Sequence, residues 1–88
     1  MRVKEGFVLR EVMGKKVIIA VGEASRTFRG MVQLNGSAAE IWEHISAGLS
    51  KTEIVDSMLQ KYDVDRQTLE ADVEKSIGLF LENGMIEL

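Results

Sequence analysis

The 88-residue sequence has no cysteine and no proline, and it has one histidine, His44. Without cysteine there is no disulfide framework, no thiolate metal site and no cysteine nucleophile. One histidine is also too few to anchor a structural zinc site, which takes four ligands, mostly Cys and His. We therefore expect a domain that folds without a metal and works without a cofactor.

Long apolar runs and an excess of positive charge are also missing. No apolar run approaches the roughly 20 residues that span a bilayer, and Glu5 and Arg10 interrupt the stretch that a signal peptide would need. We therefore predict no membrane association and a cytoplasmic location. Lys and Arg number 11 against 14 Asp and Glu, for a net charge of -3, which argues against a phosphate-binding nucleic-acid surface.

The composition that remains is that of a globular protein, with 45% hydrophobic and 28% charged residues. The length suffices for one compact domain, residues 1–88, and is too short for two. We find no repeat, linker or low-complexity tract. The acidic residues fall mainly on polar helix faces, and neither a glycine-rich phosphate loop nor a Ser/His/Asp arrangement is present. An enzyme is therefore not expected.

The first third of the chain predicts three strands. Phe7–Val12 and Val17–Val21 are rich in β-forming residues, and Gly14 between them predicts a hairpin with a type II′ turn. The third extended segment, Phe28–Leu34, alternates in polarity. Val32 and Leu34 are expected on the core face, and Met31 and Gln33 on the other.

The rest of the chain predicts three helices and a short terminal strand. The candidate N-caps are Ser37 or Asn35 for the first helix, Ser50 for the second and Asp65 for the third. Gly48 and the pair Asn83-Gly84 are the expected stops. The strands therefore precede the helices, and the fold class is α+β, a three-stranded antiparallel sheet followed by three helices.

Several short motifs in this order resemble a known family. They are Leu34-Asn35-Gly36, Ile41-Trp42, Gly48-Leu49-Ser50, Ile54, Tyr62-Asp63-Val64, Asp72-Val73, Phe80-Leu81 and Gly84-Met85-Ile86. Together they resemble the PqqD-like family of pyrroloquinoline quinone biosynthesis, whose members are peptide-recognition elements. The similarity extends from about Phe7 to Ile86.

The resemblance implies a winged-helix-like fold that binds the leader of a ribosomally made precursor peptide. It also implies that the domain presents this peptide to a maturation enzyme, often a radical S-adenosylmethionine enzyme. In the family the leader adds as a strand to the third strand and lies against the third helix. Carried onto this sequence, the peptide-binding residues are Arg29, Met31, Val32, Gln33, Leu69, Asp72, Val73, Ser76, Ile77 and Phe80.

Two other functions stay open at this point. The first is a winged-helix nucleic-acid-binding protein, although the third helix carries more acidic than basic residues. The second is a protein–protein adaptor that self-associates through its edge strand, as a monomer or weak homodimer.

Overall fold

The computed structural model describes residues 1–88, in which the helices follow an antiparallel sheet as the sequence predicts. The elements are β1 (Arg2–Val3), β2 (Phe7–Val12), β3 (Lys15–Ala20), a 3-10 helix (Gly22–Arg26), β4 (Met31–Leu34), α1 (Gly36–Ser46), α2 (Lys51–Leu59), α3 (Arg66–Glu82) and β5 (Ile86–Glu87). The main sheet has the order β2-β3-β4, and both pairings are antiparallel.

The β2–β3 hairpin has a different turn from the predicted one. The pair Val12 and Lys15 closes the ladder, so Met13 and Gly14 are the two central residues. Both have positive φ, 52° and 79°, which is the signature of a type I′ rather than a type II′ turn. Gly14 occupies the second central position, and Met13 takes the left-handed conformation that costs a non-glycine residue energy.

The third strand is shorter than predicted and begins at Met31. Gly30 precedes it with φ of 104°, a conformation open mainly to glycine, and this break leaves Phe28 and Arg29 outside the ladder. The predicted alternation of faces is confirmed. Val32 packs against the core and Leu34 is buried, whereas Met31 and Gln33 are exposed.

The three helices begin at capped residues. The Asn35 side chain accepts a hydrogen bond from the Ala38 amide at 2.8 Å, so Asn35 and not Ser37 is the cap of α1. Ser50 and Glu53 form the predicted capping box of α2. Asp65 caps α3 by accepting from the Thr68 amide, and this bond holds the pKa of Asp65 below its ordinary value.

The chain ends meet in a second, two-stranded sheet that the sequence analysis predicted only in part. β5 lies in the expected terminal strand and pairs with β1, which carried no strand prediction. Gly84, just after α3, has φ of 68°, and the amides of Gly84 and Met85 bond back to Leu81 and Phe80. This Schellman motif reverses the chain and places Met85 and Ile86 in the core.

The core is a single cluster of 15 buried residues. Phe80 of α3 meets Trp42 of α1 edge to face, with ring centroids 5.1 Å apart, and Ile18 supplies the buried centre of the sheet. Leu69 and Val73 bring the apolar side of α3 into the same cluster. No polar or charged residue is buried, so packing of the helices on one sheet face dominates the stability.

A polar cluster joins α1 to the turn that follows α2. Glu40 accepts from the Tyr62 hydroxyl at 2.9 Å and from Lys61 Nζ at 3.2 Å, and its other oxygen lies 3.3 Å from His44 Nε2. Burial alone would raise the pKa of Glu40, but the hydrogen bonds from Tyr62, Lys61 and His44 outweigh it and lower that pKa. The carboxylate is therefore held in its charged form.

Candidate functional site

β4 is an edge strand. It pairs with β3 on one side, and no strand lies on its other side. In a ladder of this kind, successive residues direct their N–H and C=O groups alternately toward the partner strand and away from it. Every second residue of Met31–Leu34 therefore presents a backbone donor and acceptor to the outside. The free edge that the addition of a strand to β4 needs is therefore present.

A groove of about 620 Å³ lies between this strand and α3. On one side it is lined by the end of β4 and the start of α1, and on the other by α3 from Asp72 to Glu82. The lining residues are Gln33, Leu34, Asn35, Ser37, Ala38, Asp72, Lys75, Ser76, Gly78, Leu79 and Glu82.

The α3 residues that line the groove recur with the period of the helix. Asp72, Lys75, Leu79 and Glu82 follow one another at intervals of three and four residues, which places them on one face. Only three of the 11 lining residues are hydrophobic. Four of the six α3 residues that the resemblance assigned to peptide binding are apolar, whereas the wall of the groove is mainly polar.

The charged residues on this wall differ from those elsewhere on α3 in their ion pairing. Away from the groove, Glu74 pairs with Lys51 of α2, and Arg66 pairs with Asp56 of α2 and with Glu70. On the groove wall Asp72, Lys75 and Glu82 are exposed, and none of them forms an ion pair within the protein. The groove therefore offers three charged groups whose hydrogen-bonding capacity is free.

The structure brings together only some of the residues that the resemblance assigned to peptide binding. Gln33, Asp72 and Ser76 line the groove. Met31 lies on the edge strand with 59% of its surface exposed, and Val32, next to it, turns toward the core. Arg29 is exposed just before the strand begins.

Four assigned residues of α3 face the core instead. Leu69, Val73 and Phe80 are at most 4% exposed and belong to the core cluster, so a ligand in the groove cannot reach their side chains. Ile77 is partly buried and packs against the same cluster. The reason is that the strongest apolar stripe of a helix covers the core, and the groove belongs to the neighbouring face. We therefore leave Leu69, Val73, Ile77 and Phe80 out of the proposed binding surface.

Three further groove residues, Lys75, Leu79 and Glu82, were not among those predicted from the sequence. Only Leu79 carried a signal in the sequence, because it is an apolar residue just off the core stripe, and it is 38% exposed. It lies three and seven residues after Ser76 and Asp72, which the helical period places on one face.

The structure contains no cluster of three or more His, Cys, Asp or Glu side chains arranged to hold a metal ion. None of its helices combines the length and apolarity needed to cross a membrane.

The fold and the groove define a class of small α+β domain, in which an open sheet edge runs beside a helix. Within that class the chain belongs to the PqqD family. The family model described as coenzyme PQQ synthesis protein D matches residues 8–86. No curated protein sequence matches this chain.

Two solved structures share the fold. TbiB1, in complex with the TbiA(beta) leader peptide, superposes with a TM-score of 0.80 at 22% identity, covering 99% of this chain and 95% of the TbiB1 chain. Lasso peptide synthetase B1, complexed with the leader peptide, gives 0.79 at 24% identity, covering 96% of this chain and 93% of that one.

Proposed function

We propose that this domain binds the leader segment of a ribosomally made precursor peptide as an added strand on β4. The observation that carries the proposal is the free β4 edge, which lies beside a groove lined by α3. Family membership and the two related structures with bound leader peptides support the proposal.

Strand addition explains how a small domain could hold a flexible peptide. The outward N–H and C=O groups of β4 hydrogen-bond to any extended backbone, whatever its sequence. Those bonds fix the peptide in line with the sheet, and side chains beside the edge then set the specificity. Met31 and Gln33 lie on the outer face of β4, and Gln33 also lines the groove, so both would contact leader side chains on that side of the sheet.

The domain would act as an adaptor and not as a catalyst. Its partners would be the leader and a separate maturation enzyme, with a radical S-adenosylmethionine enzyme as our first candidate. A leader bound along β4 is held in one register, so the segment that follows it would leave the domain at a defined position. An enzyme docked on the loaded domain would then meet its substrate at high effective concentration.

The test uses synthetic leader segments of short precursor peptides encoded in the same genome, and the segment that binds the wild type serves as the probe. Met31→Asp places a charge on the exposed outer face of β4, where the leader would pack. We expect leader affinity, measured by fluorescence anisotropy, to fall about tenfold, which corresponds to roughly 1.4 kcal/mol.

Met13→Asp is the matched control. Met13 is 96% exposed and lies in the hairpin turn with positive φ, a conformation that aspartate tolerates. This variant should bind like the wild type. Wild-type affinity in Met31→Asp, with an unchanged circular dichroism spectrum, would contradict the proposal.

A further inference from the structure

The α3 wall of the groove has a definite order of charge. Asp72, Lys75 and Glu82 alternate as acidic, basic and acidic along one helix face, with Ser76 beside Lys75 and Leu79 just before Glu82. From Asp72 to Glu82 the helix advances about 15 Å, at about 1.5 Å per residue.

An extended peptide beside this wall has its own repeat. Side chains on one face of a strand recur every two residues, about 6.7 Å apart. Three same-side residues therefore span about 13 Å, close to the length of the charged wall. The wall charges are unevenly spaced, with Lys75 about 4.5 Å and Glu82 about 15 Å from Asp72 along the helix. A peptide residue opposite Asp72 therefore has its next same-side residue opposite Ser76, about 2 Å beyond Lys75 and within reach of that flexible side chain. The third same-side residue lies between Leu79 and Glu82.

We infer that the groove selects leader segments with the pattern basic–x–acidic–x–basic, read by Asp72, Lys75 and Glu82; the inference rests on the proposed function. At the last position the aliphatic part of a Lys or Arg side chain packs on Leu79 while its charge reaches Glu82. The order of charges is symmetric, so a peptide running in either direction presents a basic residue to Asp72, an acidic one to Lys75 and a basic one to Glu82.

The unpaired state of these charges is the reason to assign them to a ligand. Ion pairs hold Glu70 and Glu74 on the other side of α3, whereas the three groove charges have no partner in the protein. Oppositely charged leader residues would gain these contacts, and leaders with the reversed pattern would suffer repulsion at all three positions.

The experiment is a selection from a displayed library of random 15-residue peptides, using the wild type, Lys75→Glu and Glu82→Lys as baits. We expect the wild type to enrich the alternating pattern. Lys75→Glu should change the central preference from acidic to basic, and Glu82→Lys should change one outer preference from basic to acidic. A selected peptide with all three charges reversed should bind the wild type about tenfold more weakly.

Glu43→Lys is the control bait. Glu43 is exposed on α1, outside the groove and without an ion pair, so this variant should enrich the wild-type pattern. If all baits enrich peptides of one charge profile, the assignment of specificity to the groove charges is overturned while strand addition on β4 stands. If the wild type enriches no peptide, the proposed function fails and this inference fails with it.

Discussion

At the scale of single residues, Glu40 links two helices through one carboxylate. Hydrogen bonds from Tyr62 and Lys61 in the turn after α2, together with the contact to His44, lower its pKa below the ordinary value of 4.5 in spite of partial burial. A carboxyl whose pKa is lowered by folding stabilises the protein above its unfolded-state pKa. It loses that contribution as the pH falls through its folded-state pKa.

We therefore predict that Glu40→Gln lowers the free energy of unfolding by about 1 kcal/mol at neutral pH. The difference from the wild type should shrink in strongly acidic solution, once the pH has fallen through the lowered folded-state pKa of Glu40 and the carboxyl is protonated. Urea unfolding of both proteins at neutral and at acidic pH measures this difference in the free energy of unfolding. Glu43→Gln, on the same helix but exposed and without a partner, should show little change. A Glu40→Gln effect that is the same at both pH values would contradict this account.

Single residues also show where sequence reasoning about the site stops. The apolar period of α3 correctly predicts a helix whose stripe includes Leu69, Val73 and Phe80, but it cannot say which surface the stripe covers. These residues are buried in the core because they are the most apolar residues of the helix. The polar groove residues Lys75 and Glu82 resemble ordinary solvated helix charges until β4 and α1 are placed opposite them.

At the scale of elements, α3 has two different faces. One packs against Trp42 and the sheet, and the other forms the groove wall that contains Gly78. A Cβ added to Gly78 would meet no atom within 4 Å. Glycine inside a helix therefore costs stability here without relieving any clash within the protein.

Gly78→Ala should consequently change stability and binding in opposite directions. We expect the free energy of unfolding to rise by about 0.5–1 kcal/mol, whereas leader affinity should fall because the new methyl group occupies the groove. Gly36→Ala is the control, since Gly36 opens α1, does not line the groove and also has open space around its Cα. It should leave the affinity unchanged. Thermal unfolding measures the stability of both variants, and anisotropy titration measures their leader affinity. Wild-type leader affinity in Gly78→Ala would count against close packing of the leader on α3.

Elements were predictable to the extent that their signals are local. Each helix cap, helix stop and helical period depends only on residues that are close together in the sequence. The structure confirms the caps Ser50 and Asp65 and the stop at Gly84. β1 was not predictable, because two residues at the N-terminus become a strand only by pairing with β5, more than 80 residues away. The turn type at Met13-Gly14 depends on the β2–β3 register, which the sequence leaves open.

At the scale of the whole molecule, the free β4 edge has a consequence for the unloaded domain. Unpaired edge strands associate with one another, and the antiparallel pairing of two β4 strands would join two sheets around a two-fold axis. The exposed Met31 side chains would then lie near the new interface.

We predict a weak homodimer at high protein concentration that dissociates when the leader is added, because both ligands need the same edge. Sedimentation velocity across a dilution series, with and without the leader, measures this competition. A stable dimer that binds the leader without dissociating would place the dimer interface elsewhere.

The most direct test of strand addition is amide hydrogen exchange in β4, measured residue by residue by NMR with and without saturating leader. Alternate residues of Met31–Leu34, whose N–H groups point away from β3, should gain strong protection. The intervening amides, already bonded to β3, should change little. Unchanged exchange throughout β4, with protection appearing on another surface, would contradict the central claim.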